Sequence, residues 1–203
     1  MPSRNRDVFI NCPFDTRYQA FFRAIVFVVI RSGFRARSAL ETDDASENRF
    51  AKICNIIREC RYGVHDISRT ELDPGSELPR FNMPLELGLF LGAKQFGIKA
   101  QKSKRCIVFD RQRYRFQEFI SDISGQDIHS HQGRIGVLIE ELASWLRDQS
   151  RDTKVPGGRK IATEFASLQK ALPRICGDRH LEPDELTFGD YTDIVEKYLA
   201  VRG

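Results

Sequence analysis

The segment Asp7-Val8-Phe9-Ile10-Asn11-Cys12-Pro13-Phe14-Asp15 decides how the rest of the chain is read. Asp7 to Cys12 is a compact run of β-forming apolar residues closed by Pro13, the pattern of a strand buried on both faces. Pro13-Phe14-Asp15-Thr16 follows as a turn. Asp15 or Thr16 can cap a helix extending to about Arg31, and Ser32-Gly33 ends it. That helix carries Phe21, Phe22, Ile25, Val26, Val28 and Val29, so most of its faces are apolar and it packs closely on a sheet.

Outward from this unit the chain keeps alternating. Phe34 to Leu40 alternates apolar and polar residues, as an edge strand does. Asp44-Ala45-Ser46-Glu47 reads as a helix cap, followed by Phe50, Ile53, Ile57 and Cys60 at helical spacing. Tyr62 to Ile67 is a third strand. A polar loop from Thr70 to Pro79, with turn residues Pro74-Gly75-Ser76, has the length and polarity of a mobile lid. Pro84 suits a first helical position, and the helix after it is apolar almost all round. Arg105 to Phe109 is a fourth strand, Tyr114 to Ile123 a short helix, and Gln126 to Ser130 a weak fifth strand. Ile135, Leu138, Ile139, Leu142, Trp145 and Leu146 mark an amphipathic helix.

Five strand–helix alternations predict an α/β, flavodoxin-like, doubly wound parallel sheet in the order 2-1-3-4-5, because the second and fifth strands look most exposed. The expected division is an α/β domain over 1–149, a linker over 150–158 containing Pro156-Gly157-Gly158, and a helical C-terminal extension over 159–203. In the extension, Ile161, Phe165, Leu168 and Leu172 form one stripe ended by Pro173. Tyr191, Ile194, Val195, Tyr198 and Leu199 form another. Two such helices bury little alone, so they dock on the main domain or make a dimer contact.

Composition narrows the function classes. The 203 residues are 41% apolar and 30% charged, as in soluble globular chains. The net charge of +4 is interspersed, which suits a phosphorylated small molecule and is only weak evidence for nucleic-acid binding. The five cysteines form no CxxC pair, as expected in a reducing cytoplasm. Met1 to Asp7 leads into no apolar signal region, and the apolar run Ala24 to Ile30 is too short to span a bilayer, so no membrane association is expected.

Ligands of doubly wound sheets lie beyond the carboxyl ends of the strands, where the winding reverses. Here those ends carry Asn11, Cys12, Pro13, Phe14 and Asp15, and Asp66, Ser68 and Arg69. The helix opened by Phe81, Asn82 and Met83 begins at the same rim, and Glu86 is its only carboxylate. An acid in a first turn is stabilised by the helix dipole, by ~0.3–1 kcal/mol, or is a catalytic acid aimed into a pocket. The turn after the first strand lacks the glycines of a dinucleotide-binding fingerprint. His65 is expected to point away from Asp66. His129 and His131 have no further ligand at metal spacing, so no metal and no bound cofactor are expected. Cys12 is a reactive thiol or a small buried group. A carboxylate site without a metal suits glycosidic chemistry at an oxocarbenium-like sugar centre. Asp66 or Asp15 can hold ribose hydroxyls or tune Glu86, and Phe14, Phe81 or Tyr18 can stack on a base. Alternatively, Asp66 and Asp15 simply cap the turns that follow them.

Three segments, Val8-Phe9-Ile10-Asn11-Cys12-Pro13-Phe14-Asp15, His65-Asp66-Ile67-Ser68 and Asn82-Met83-Pro84-Leu85-Glu86-Leu87-Gly88, together resemble the bacterial TIR-like and nucleoside deoxyribosyltransferase-like superfamily. The resemblance covers roughly residues 7–148. It implies Glu86 as the catalytic residue, with Asp66 upstream of it. It implies NAD as a substrate, cleaved by hydrolysis or cyclisation at the nicotinamide–ribose bond, in bacterial antiviral defence. Two alternatives stand beside this reading: a nucleoside or nucleotide deoxyribosyltransferase or N-glycosidase, and a non-enzymatic nucleotide-sensing or interaction module. Each takes a nucleotide or nucleoside as its small-molecule partner, and a homo-oligomer is expected.

Overall fold

The computed structural model describes residues 6–72, 75 and 77–202. Met1 to Asn5, and Pro74 and Ser76 of the turn read in the polar loop, lie outside those residues. Five strands, β1 (Asp7–Asn11), β2 (Arg35–Arg37), β3 (Tyr62–Asp66), β4 (Arg105–Asp110) and β5 (His129–Ser130), form one all-parallel sheet in the order β2-β1-β3-β4-β5. The fold is flavodoxin-like α/β, as the alternation predicts. Helices α1 (Gln19–Arg31) and α4 (Ile135–Ser150) cover one face of the sheet; α2 (Arg49–Glu59) and α3 (Asn82–Phe96) cover the other.

Pleating sorts the strand residues between the two layers. Val8, Ile10 and Cys12 join α1 and α4 in the larger core, whereas Phe9 packs with Ile53, Ile56, Ile57 and Phe90 of α2 and α3. The all-round apolar character of α1 has a direct cause. It touches the sheet on one side and α4, α5 (Gly158–Gly177) and α6 (Phe188–Arg202) on the others. Ile161, Leu168 and Val195 are fully buried in the same core, so α5 and α6 dock on the sheet domain. Arg31 bonds Glu164 at 2.6 Å and the Tyr191 hydroxyl donates to the Arg23 carbonyl at 3.2 Å, which fixes their orientation.

Several local expectations are corrected. α1 starts at Gln19 with Tyr18 at its cap, because Asp15 instead closes a tight turn, accepting from the Arg17 N–H at 3.1 Å. α2 is capped by Asn48, whose Oδ1 accepts from the Ala51 N–H at 2.9 Å; Asp44 turns back on Ser46. α3 starts at Asn82, so Pro84 is its third residue, still within the first turn where an absent N–H leaves no bond unmade. α5 runs through Pro173 to Gly177, held by the buried stripe Leu168, Leu172 and Cys176. The 114–123 segment forms two 3-10 turns, Arg115–Glu118 and Ser121–Ile123. β2 is shorter than expected and its Arg37 is buried, paired with Asp7, Glu41 and Glu59.

Gly63 is where β3 and α3 approach most closely. A Cβ there would lie 2.6 Å from His65 Nε2 and 3.0 Å from the Phe90 ring. Gly63→Ala should therefore destabilise the protein by roughly 1–3 kcal/mol through overpacking. Gly92→Ala, which meets nothing within 4 Å on α3, should stabilise by about 0.5–1 kcal/mol. Urea melts of the two variants check this contrast.

Candidate functional site

The site grows from the end of β1. Asn11 is 1% exposed, and its carboxamide donates to the Met83 carbonyl at 2.8 Å and to His65 Nδ1 at 3.0 Å. One side chain thus ties β1 to β3 and to the first turn of α3. Burial drives the His65 imidazole down to about 3, with a smaller push from Lys104, so the ring is neutral. With Nδ1 accepting, Nε2 bears the hydrogen and has no hydrogen-bond partner. His65 faces α3, stacked edge-on with Phe90 at 5.0 Å, and Asp66 faces the opposite layer, as the alternation of the strand requires.

The clamped first turn sets the position of Glu86. As the fifth residue of α3 it lies in the second turn, where dipole stabilisation has largely faded. It is 8% exposed and makes no side-chain hydrogen bond or ion pair among the described residues. Burial lifts its carboxyl to about 7, and the Arg49 guanidinium pulls it partly back. Arg49 is the first residue of α2. It is an exposed cation at a helix start, a position the dipole disfavours, and its side chain has no partner among the described residues.

Cys12 lies among three carboxylates. Burial raises its thiol well above the ordinary range, and the charges of Asp66, Glu86 and Asp15 raise it further. It is a protonated, buried group, not a reactive thiolate. Pro13 beside it is buried too.

Asp66 and Glu86 do not share one crevice. The Asp66 carboxylate is fully buried on the α1–α4 side. Its Oδ2 accepts from the Tyr18 hydroxyl at 2.5 Å and lies 3.3 Å from His131 Nε2; its Oδ1 accepts from the Ser68 N–H at 2.8 Å. Asp66 and Asp15 thus both close the turns that follow them. Asp15 also holds Arg69 Nη1 through both of its oxygens at 2.7 Å. Asp110, at the end of β4, is buried with one oxygen unpartnered and the other held by Arg115.

Two cavities flank the Pro13–Tyr18 turn. One, of about 410 Å³, lies between α1, the β2–α2 connection and the start of α6; Phe14, Arg49, Lys52 and Tyr191 line it. The other, of about 360 Å³, is lined by Tyr18, Ser68, Arg69 and His131 on the opposite side. Glu86 lines neither; Arg49, in the wall of the first, acts on it only through its charge. Phe81 is 65% exposed and Asn82 is also exposed; neither lines either cavity, while Met83 is buried with its carbonyl held by Asn11. Of the proposed stacking rings, Phe14 lies in a cavity wall, and the Tyr18 hydroxyl is committed to Asp66. His129 pairs with Glu141 at 3.0 Å, and no cluster of three metal-ligating side chains occurs among the described residues. Arg49, Arg17, Arg80 and Arg111 are scattered along the chain and carry no local motif, so the sequence does not mark them, nor does it mark the role of His131.

No family model, curated protein or solved structure matches this chain.

The Glu86 carboxyl predicts a signed pH effect. Below about pH 4.5, its unfolded value, both states are protonated and Glu86→Gln should be nearly neutral. As pH rises toward about 7 the unfolded chain ionises more readily than the folded one, so the wild type loses stability. Above pH 8, Glu86→Gln should be the more stable by up to about 3 kcal/mol, at roughly 1.4 kcal/mol per tenfold. Urea melts at pH 4.5 and 8.5 should show the gap only at the higher pH.

Proposed function

We propose that the protein cleaves the nicotinamide–ribose bond of NAD, with Glu86 as the carboxylate that faces the ribose C1′ centre. The observation that carries this reading is a buried carboxylate without a hydrogen-bond or ion-pair partner among the described residues, at the carboxyl end of a doubly wound sheet. A protein does not ordinarily leave such a group unpaired, because its desolvation is unfavourable. A substrate that develops positive charge beside it supplies the missing counter-charge. The motif resemblance supplies the substrate class.

The surroundings fit a nucleotide. The cavity of about 410 Å³ offers the Phe14 ring for a base and the Arg49 and Lys52 cations for phosphates. Arg49 lines this cavity and acts electrostatically on Glu86, so it links the binding space to the carboxylate. As the glycosidic bond breaks, nicotinamide leaves with the bonding electron pair and becomes neutral. The ionised Glu86 stabilises the oxocarbenium-like ribose, water adds at C1′, and its proton passes to solvent. Asn11 positions the helix that carries Glu86 and makes no chemical contribution of its own. Cys12, held protonated, excludes water from the back of the site.

The test incubates the purified protein with NAD and follows free nicotinamide by chromatography. Release is expected from the wild type and should fall at least a hundredfold in Glu86→Gln. Because the ionised form acts, kcat/KM should rise with pH through about 7 and level off above 8. Release that survives Glu86→Gln unchanged contradicts the assignment. Base exchange between deoxynucleosides, with NAD untouched, would select deoxyribosyl transfer instead.

A further inference from the structure

The second cavity, on the α1–α4 side, shares no lining residue with the cavity assigned to the NAD reaction. Four guanidinium groups surround its 360 Å³, those of Arg17, Arg69, Arg80 and Arg111. Two carboxylates offset two of these charges. Asp15 holds Arg69 at 2.7 Å, and Glu71 lies 3.4 Å from Arg69 Nε and 2.9 Å from Arg111 Nη1. The side chains of Arg17 and Arg80 have no hydrogen bond or ion pair among the described residues. Among the described residues, two like charges therefore remain uncompensated around one cavity, an arrangement that a ligand of opposite sign relieves.

Ring side chains complete the cavity wall. His131 is 3% exposed and forms part of the cavity wall. Its Nδ1 accepts from the Gly133 N–H at 3.0 Å, so the ring hydrogen is on Nε2. Nε2 lies 3.3 Å from Asp66 Oδ2 without hydrogen-bond geometry, and no other acceptor meets it. His131 thus turns Nε2 inward, toward the buried Asp66 carboxylate, and the polar groups that face the cavity are its arginines. The Tyr18 and Phe21 rings, stacked at 5.2 Å, give the same cavity a flat apolar side.

We propose that this cavity binds the phosphoryl group of a small molecule carrying at least two negative charges. The two unpaired arginines match a dianion in charge, and guanidinium forks match phosphate oxygens in geometry. A single carboxylate would leave one of the two charges unmet. The site is separate from Glu86, so its ligand binds whether or not NAD is cleaved.

Isothermal titration of the full chain with inorganic pyrophosphate and with ADP, at ionic strength matched with chloride, tests the proposal. Saturable binding of at least one probe is expected, weakening as salt rises. Binding of both assigns recognition to the phosphates, and binding of ADP alone adds the Tyr18–Phe21 wall. Arg17 and Arg80 are exposed, so the double variant Arg17→Ala, Arg80→Ala should fold, with an unchanged circular dichroism spectrum, and should bind at least tenfold more weakly. Glu86→Gln, and the double variant Arg49→Ala, Lys52→Ala, should each bind both probes within twofold of wild type, which separates this site from the NAD reading. Absence of saturable binding by both probes, or retention of full affinity in the double variant, overturns the proposal.

Discussion

The carboxamide of Asn11 holds three elements at one point. Its two hydrogens reach the Met83 carbonyl and the His65 ring, so the ends of β1 and β3 and the first turn of α3 move as one unit. A buried amide with both hydrogens satisfied is specific, because a shift of any partner strands a polar group away from water. Gly63 makes the arrangement sterically possible by letting His65 and Phe90 close over it. The position of Glu86 depends on this junction, since Asn11 holds the first turn of α3 at the rim.

The two faces of the sheet then have different electrostatic characters. On the α1–α4 face, Asp66 is saturated by Tyr18 and Ser68 and the nearby arginines leave a net positive cavity. On the α2–α3 face, Glu86 stands alone, with Arg49 as the nearest counter-charge. Cys12 sits between them, its thiol pushed up first by burial and then by the carboxylates on either side. Adjacent residues of one strand, His65 and Asp66, serve the two faces separately. That separation gives a partnered aspartate for structure and an unpartnered glutamate for chemistry.

Much of the fold could be read from the chain, because strand and helix periods are local. The buried run at 7–12 and the stripes at 135–146 and 161–172 state their environment through spacing alone. Boundaries were less legible where a neighbouring residue competed. Asn48 took the cap read at Asp44, and the buried stripe through Leu172 carried α5 past Pro173. Within the site, Glu86 and the strand-end residues could be found because topology alone brings strand ends together. The expectation that Asp66 joins Glu86 failed because side-chain direction alternates along β3, and proximity in sequence to the rim does not say which face a carboxylate takes. Arg17, Arg80 and Arg111 could not be found, since they meet only through the packing of loops after three different strands.

Glu86 is a buried carboxylate without a partner among the described residues, held beside the strand ends. This is tested most directly by titrating the Glu86 side-chain carboxyl by carbon-13 NMR, assigned by comparison with Glu86→Gln. A midpoint near 7 is expected. A midpoint at the ordinary glutamate value, about 4.3, would contradict it, because it would mean that Glu86 is solvated or already paired.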